Sequence, residues 1–420
     1  MGIRYARRWR PIVVGLAAVV AVAACGGVPS APPATESPVA SEEPGAPRSV
    51  APSDAPAASA SLPAPIAGDS VPTYRGDAAR TGEMPGPAPS GEPTIAWQFD
   101  VEGSALSNSP VVADGTVYVA GVDGVVRAID LATGGERWKV TIPFRVSATP
   151  VIVGDVLVVG DEMGSVYGLT RADGSTIWTN AIGGGITGSP PAVDDDILVA
   201  TLSGALHRIV AATGEESSEP LDVGSGVTRS VAVGDGMAYL GIGGDLVAVD
   251  IETWTERWRS HVAGAGEIGT PTVAGELVYA ATGLGGESAD AYGVVAVDTA
   301  TGEVAWRYAS PTQASIYTPA VSDGRAFIIG HDRLMVALDA RTGAEAWSID
   351  LERDLEALPS VVDGVVFTVG NDGPAVAVDA ADGSILWEVP TVGIPFAPTI
   401  VHGYLLVGTS AGILYAIGGS

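Results

Sequence analysis

The sequence predicts an all-β chain whose larger part closes into an eight-bladed β-propeller of four-stranded antiparallel blades, and three observations carry that expectation. Tryptophans stand at Trp97, Trp138, Trp178, Trp258, Trp306, Trp347 and Trp387, with successive gaps of 41, 40, 80, 48, 41 and 40 residues. Prolines keep the same beat at Pro110, Pro150, Pro190, Pro271, Pro319, Pro359 and Pro398, and Ser230 takes the remaining place. Between these markers run short β-branched segments punctuated by Asp-Gly and Gly turns. A repeat of about 40 residues holding about four short strands means propeller blades, not helical solenoid units.

At the front, Arg4, Arg7, Arg8 and Arg10 precede an uncharged apolar run from Ile12 to Ala24. That pattern reads as an export signal over residues 1–24, and the run is too short to cross a bilayer comfortably. It ends at Val22-Ala23-Ala24-Cys25 followed by Gly26 and Gly27, which resembles the lipobox of bacterial lipoproteins. The resemblance implies that Cys25 becomes the lipidated, palmitate-bearing first residue of the mature protein. The Arg7-Arg8 pair also fits twin-arginine export. Because Cys25 is the only cysteine, the fold must stand without disulfides, and neither a cysteine zinc site nor a cysteine nucleophile is available. Residues 25–70 are mostly Pro, Ala, Ser, Glu and Asp without periodicity, and read as a disordered tether ahead of the repeat region at 71–420.

Charge narrows the partners. The formal charge is −28, and removal of the four arginines of the export signal brings it to −32. A surface so poor in Lys and Arg cannot neutralise phosphates, which excludes nucleic acid. The acidity reads as solubility of an exported protein.

The first full repeat sets the template: Pro110-Val111-Val112, a turn at Asp114-Gly115, Val117 to Val119, a turn at Asp123-Gly124, Val125 to Ile129, a turn from Asp130 to Gly134, and a strand around Trp138. Its inner runs are apolar throughout, as expected of sheets covered on both faces by neighbouring blades. The last repeat supplies only three strands, Thr399 to Val401, Tyr404 to Val407 and Ile413 to Ile417. Ile95-Ala96-Trp97-Gln98-Phe99 carries the tryptophan of a fourth strand and is expected to pair with the C-terminal strands, leaving no ring edge open.

These residues carry a family resemblance. Ala128-Ile129-Asp130-Leu131-Ala132-Thr133-Gly134-Gly135-Glu136-Arg137-Trp138 resembles the AxDxxTGxxxW signature of pyrroloquinoline quinone (PQQ)-like propeller repeats, and it recurs from Ala296, Ala337 and Ala377. Three repeats depart from it. One has Thr170 for the aspartate, one has Val210 and no tryptophan near Ser218, and one has Trp254 where the glycine belongs. Pro72-Thr73-Tyr74-Arg75-Gly76-Asp77 is similar to the lead-in of quinoprotein dehydrogenases, which accounts for Arg75-Gly76-Asp77 without an integrin role. The resemblance implies that the repeated tryptophans dock between blades on the signature glycine, a packing role and not an active site.

The resemblance also implies two functions. BamB-like lipoproteins are non-enzymatic scaffolds, whereas PQQ-dependent dehydrogenases hold the quinone with calcium or a lanthanide. A single cysteine cannot supply the vicinal pair such dehydrogenases commonly place against the cofactor. His207, His261, His331 and His402 fall at no metal-ligand spacing, and Asp194-Asp195-Asp196 sits where other repeats turn. The expectation is a monomeric scaffold without catalytic residues, metal or cofactor, with the PQQ- and calcium-dependent oxidoreductase as the alternative. Its place is extracytoplasmic, in contact with the membrane through the lipid anchor alone. A protein or cell-envelope ligand is expected on the face formed by the loops from strand four to strand one and from strand two to strand three. There Arg145, Arg229, Glu267, Tyr317, Glu356 and Phe396 break the repeat, and Gly285 to Tyr292 adds a loop.

Overall fold

The structure, a computed structural model, describes residues 70–419 apart from 102, 228, 263–265, 284–291 and 313. The export signal, Cys25, the tether to residue 69 and most of the Gly285 to Tyr292 insertion lie outside the described residues. Among the described residues every element is a strand, and the strands make eight four-stranded antiparallel sheets. The first blade is β2 (Val111–Ala113), β3 (Thr116–Ala120), β4 (Val125–Asp130) and β5 (Glu136–Thr141). Blade eight joins β30 (Thr399–Val401), β31 (Tyr404–Gly408) and β32 (Ile413–Gly418) to β1 (Thr94–Asp100), with Trp97 opposite Ala416 and Phe99 opposite Leu414. The front strand therefore closes the ring, as its tryptophan implied.

The apolar inner runs pack from sheet to sheet. At the first seam Tyr118, Ala128 and Val126 of blade one meet Leu157, Val159 and Leu169 of blade two in one buried cluster. The outer strands face water on one side and alternate accordingly, as in Glu136–Thr141.

The signature residues make the turn between third and fourth strands. Asp130 Oδ1 accepts the Ala132 N–H at 3.1 Å and the Thr133 N–H and hydroxyl at 2.9 Å, while Gly134 returns its N–H to the Asp130 carbonyl at 2.8 Å. Asp298 and Asp339 repeat this, and the threonine hydroxyl, followed by the backbone amide, holds each carboxyl below the usual range. Gly134 is required twice over: its φ is +71°, and a Cβ there would stand 2.8 Å from the Trp97 indole.

That contact is the interblade wedge. Each docked indole also donates Nε1–H to a carbonyl of the next blade: Trp97 to Leu131, Trp138 to Arg171, Trp178 to Ala211, Trp258 to Thr299, Trp306 to Ala340 and Trp347 to Ala380, all at 2.8–3.0 Å. Trp387 packs half-buried against the core of blade eight. Trp306 is 9 % exposed and lies 5.8 Å from the Tyr279 ring. We predict that Trp306→Ala destabilises the ring by about 3–5 kcal/mol, read from denaturant unfolding; an unchanged midpoint refutes the packing role.

Two departures from the signature turn out to be one. The repeat without a tryptophan and the repeat with Trp254 in place of glycine are neighbours, and Trp254, at φ +54°, reaches back to donate Nε1–H to the Glu219 carbonyl at 2.8 Å. No indole from blade three needs the glycine, so an indole at the glycine position fills the same seam from the other side.

One sequence expectation shifts by a residue. Val231, not Ser230, occupies the place of the repeat-opening prolines, because the strand Ala232–Gly234 pairs with its neighbour as Val111–Ala113 does with β3. Ser230 instead matches the residue before each proline, a position whose role emerges at the axis.

The segment ahead of β1 fills that axis. Innermost strands have no partner on their axial edge, so their N–H groups would be buried unpaired. The carbonyls of Val71, Pro72, Ala78, Ala79, Thr81, Gly82 and Gly86 accept the N–H of Val112, Ile152, Val233, Val273, Val321, Val361 and His402, one from each of seven blades, at 2.7–3.2 Å. Arg80 supplies the eighth contact, with Nη2 donating to the Ser189 carbonyl at 2.9 Å. Arg75 and Arg80 are both buried, which removes Arg75-Gly76-Asp77 from any surface role.

Candidate ligand-binding face

Antiparallel strands put the four-to-one connections and the two-to-three loops of every blade on the same face, and the repeat-breaking residues separate there into distinct groups. Tyr317 and Glu356 come together. The backbone bridge between Ile316 and Gly330 fixes the first, and the bridge between Leu355 and Gly370 fixes the second. The Tyr317 hydroxyl donates to Glu356 Oε2 at 2.7 Å, and His331 Nε2 lies 2.8 Å from the Tyr317 phenol oxygen. With its one proton committed to Glu356, the phenol oxygen accepts from His331, whose Nδ1 stands 3.6 Å from Glu356 Oε1. Burial, and then the Glu356 carboxylate, push the Tyr317 phenol far up. The group is thus a locked hydrogen-bonding cluster with a neutral phenol. The sequence weighed His331 only for metal-ligand spacing and not as part of this face; a histidine in the loop where blades one, two and seven have Val122, Glu162 and Asn371 was the available signal.

Arg229 and Phe396 come together in a second place, an axial chamber of about 150 Å³. Its floor includes Tyr74 from the axial segment, and its wall is a belt of hydroxyl residues including Ser109, Thr149, Ser189, Ser230 and Thr270. These residues precede the innermost strands, and each backbone N–H donates to the hydroxyl of the next blade: Ser109 to Thr149, Thr149 to Ser189, Ser189 to Ser230 and Ser230 to Thr270, at 2.9–3.2 Å. The belt gives way to Leu358 and Ala397 in blades seven and eight. This recurrence every 40 or so residues was present beside the prolines but is silent about direction until the ring closes.

Arg145 and Glu267 join neither group. Arg145 is exposed on the rim beside Glu162, at 3.5 Å, and Glu267 is exposed. The same face also exposes large apolar side chains, Phe144, Met163, Leu202, Val392 and Ile394, that the sequence reading passed over. Asp194-Asp195-Asp196 forms the expected turn, with Asp196 bonded to Arg208 at 2.7 Å. Among the described residues no three His, Cys, Asp or Glu side chains gather to hold a metal ion.

A closed ring of eight sheets with the signature turn and the indole wedge defines a PQQ-like β-propeller. More narrowly, the chain belongs to the family described as outer membrane protein assembly factor BamB, which matches residues 162–219, 208–318 and 292–420. The crystal structure of BamB from Moraxella catarrhalis is similar at a TM-score of 0.64 and 17 % identity, over 78 % of this chain and 98 % of that one. The quinohemoprotein alcohol dehydrogenase of Comamonas testosteroni is similar at 0.64 and 16 %, over 84 % of this chain and 81 % of that one. Both likenesses are of fold. The serine/threonine-protein kinase AfsK of Streptomyces griseus is 33 % identical over 129 residues, 28 % of this chain, and the match spans only 15 % of the kinase.

Proposed function

We propose that this protein is a non-enzymatic docking platform of the cell envelope, which holds a protein segment or envelope polymer across its loop face. The observation that carries the reading is the segregation of side chains. Residues that depart from the repeat are exposed or locked in clusters on one face, while the axis beneath is filled by the chain's own lead-in. Such a platform binds over its loops and not through its centre. Membership of the BamB family supports protein binding and an extracytoplasmic place; anchoring through Cys25, and membrane contact by that lipid alone, are the finer parts of the proposal.

The dehydrogenase reading draws on the quinoprotein neighbour, and the axial chamber weighs against it. Its volume of about 150 Å³ is well under the roughly 300–1,000 Å³ usual for ligand pockets. No carboxylate lines it, so a quinone lacks room there and its calcium lacks an anionic ligand. Incubation with PQQ and calcium should give no dye-linked alcohol or sugar oxidation, and turnover would favour the enzyme.

The docking reading is tested with a photo-crosslinking amino acid placed singly at Met163 or Phe144, and at Asp363 on the opposite turn face, in the native envelope. We predict a discrete adduct from the first two positions, lost when Tyr317→Ala and Glu356→Ala are combined, and none from Asp363. Equal adducts from both faces, or none from either, would remove the proposal.

A further inference from the structure

We propose that the segment held on the loop face is a cationic amphipathic stretch of polypeptide, with apolar side chains laid on blades one to three and Lys or Arg side chains against blades five to seven. The inference rests on the docking reading above and gives its partner a chemistry.

The apolar half is a trough. Five large apolar side chains exposed by 39–62 %, Phe144, Met163, Leu202, Val392 and Ile394, stand on the loop face, and among the described residues the turns of the opposite face carry none. The remaining exposed ones lie on outer strands. Three of the five adjoin. The Glu162 N–H donates to the Arg145 carbonyl at 3.0 Å, which sets Met163 beside Phe144, and the Leu202 N–H donates to the Gly185 carbonyl at 2.9 Å. A Cβ at Gly185 would stand 2.8 Å from the Glu162 carbonyl and 2.9 Å from Leu202 Cδ1, so Gly183-Gly184-Gly185 floors the space between the two walls. Surface charges of these loops cancel, Asp123 pairing with Arg127 at 3.0 Å and Glu162 with Arg145 at 3.5 Å. Apolar surface gathered on one face, with its neighbouring charge neutralised, is what a partner's apolar side chains cover.

The other half is acidic. Glu267, Glu352, Asp354 and Asp372 are exposed, and among the described residues no cation pairs with them. The cations of the same loops are committed, Arg333 to Asp350 and Arg353 to Glu388, while His331 sits against Tyr317 and Glu356. Asp372 marks the junction of the halves, accepting the Gly393 N–H at 2.7 Å between the exposed Val392 and Ile394. Charge complementarity therefore calls for Lys or Arg beside apolar residues in the partner. An anionic envelope polymer or an anionic lipid surface would be repelled by the same carboxylates in a chain of net charge −28.

The test titrates a fluorescein-labelled peptide, with Leu and Phe in its first half and Lys in its second, into the full chain and follows anisotropy. In one control peptide Glu replaces Lys, and in another Ser replaces Leu and Phe. Binding is expected to saturate with a dissociation constant of about 10–100 µM, and each control should bind at least about tenfold more weakly. Phe144→Ser with Met163→Ser should weaken it about tenfold. Glu267→Gln, Glu352→Gln and Asp354→Asn combined should weaken it about fivefold or more, whereas Asp195→Asn, Asp235→Asn and Asp323→Asn on the turn face, which remove the same charge, should change it less than about twofold. A bimane label at Met163→Cys in a Cys25→Ser background should shift to the blue with the peptide and not with phosphatidylglycerol vesicles. Equal binding of the glutamate peptide, equal loss from the two sets of neutralised carboxylates, or a bimane shift with vesicles would overturn the assignment. If the envelope adducts from Met163 form while the lysine peptide does not bind, the docking reading stands and this inference alone falls; if neither occurs, both fall.

Discussion

Replacement of Arg80 by methionine should destabilise the ring by about 3–5 kcal/mol, because five oxygens, three of them in buried contacts, lose the guanidinium donor, and only the Asp77 carbonyl keeps another, the backbone N–H of residue 80. The guanidinium donates to Thr73 Oγ1 and the Tyr74 carbonyl at 2.7 Å, to the carbonyls of Ser189 and Val231 at 2.9 and 3.0 Å, and to that of Asp77 at 3.3 Å. Burial pushes its pKa down to about 10, so it stays charged at neutral pH and the carbonyl shell offsets its desolvation. Lysine keeps the charge but not the planar fork, so Arg80→Lys should recover only part of the loss. Urea unfolding followed by tryptophan fluorescence measures both variants. A midpoint equal to the parent's, in either, would show that the axial segment is decoration.

Removal of β1 should have the other large effect. Thr94–Asp100 pairs along β32, places Trp97 against Gly134 and completes blade eight. Without it the edge of β32 is bare, and a bare apolar edge pairs with other chains. We expect a chain lacking Thr94–Asp100 to form soluble oligomers on size exclusion and to unfold without a sharp transition, and a peptide of that sequence added in trans to restore part of the cooperativity. A monomer with the parental unfolding curve would contradict velcro-like closure by the front strand.

These variants differ in how visible their targets were beforehand. Trp97 stood on a repeat beat, so its strand could be assigned to a blade lacking one. Arg80 stands on no beat, and its partners, Ser189 and Val231, lie more than a hundred residues away. Position before each proline was periodic, yet the shift of Ser230 by one residue hid blade four from the pattern until its strand pairing was known. Among the six loop-face candidates, Tyr317 with Glu356 and Arg229 with Phe396 are brought together, and Arg145 and Glu267 are not.

Repetition is what the sequence by itself determined: period, strand count per unit, the turn built by Asp130 and its counterparts, and the closure of the ring all follow from residues that must recur because each blade buries the same faces. The axial plug, the exchange of indole duty between blade three and Trp254, and the chamber around Arg229 were decided only by tertiary structure. Each depends on groups that occur once and act across the ring, and only the closed circle, by drawing every innermost strand to a common axis, brings such groups within hydrogen-bonding distance.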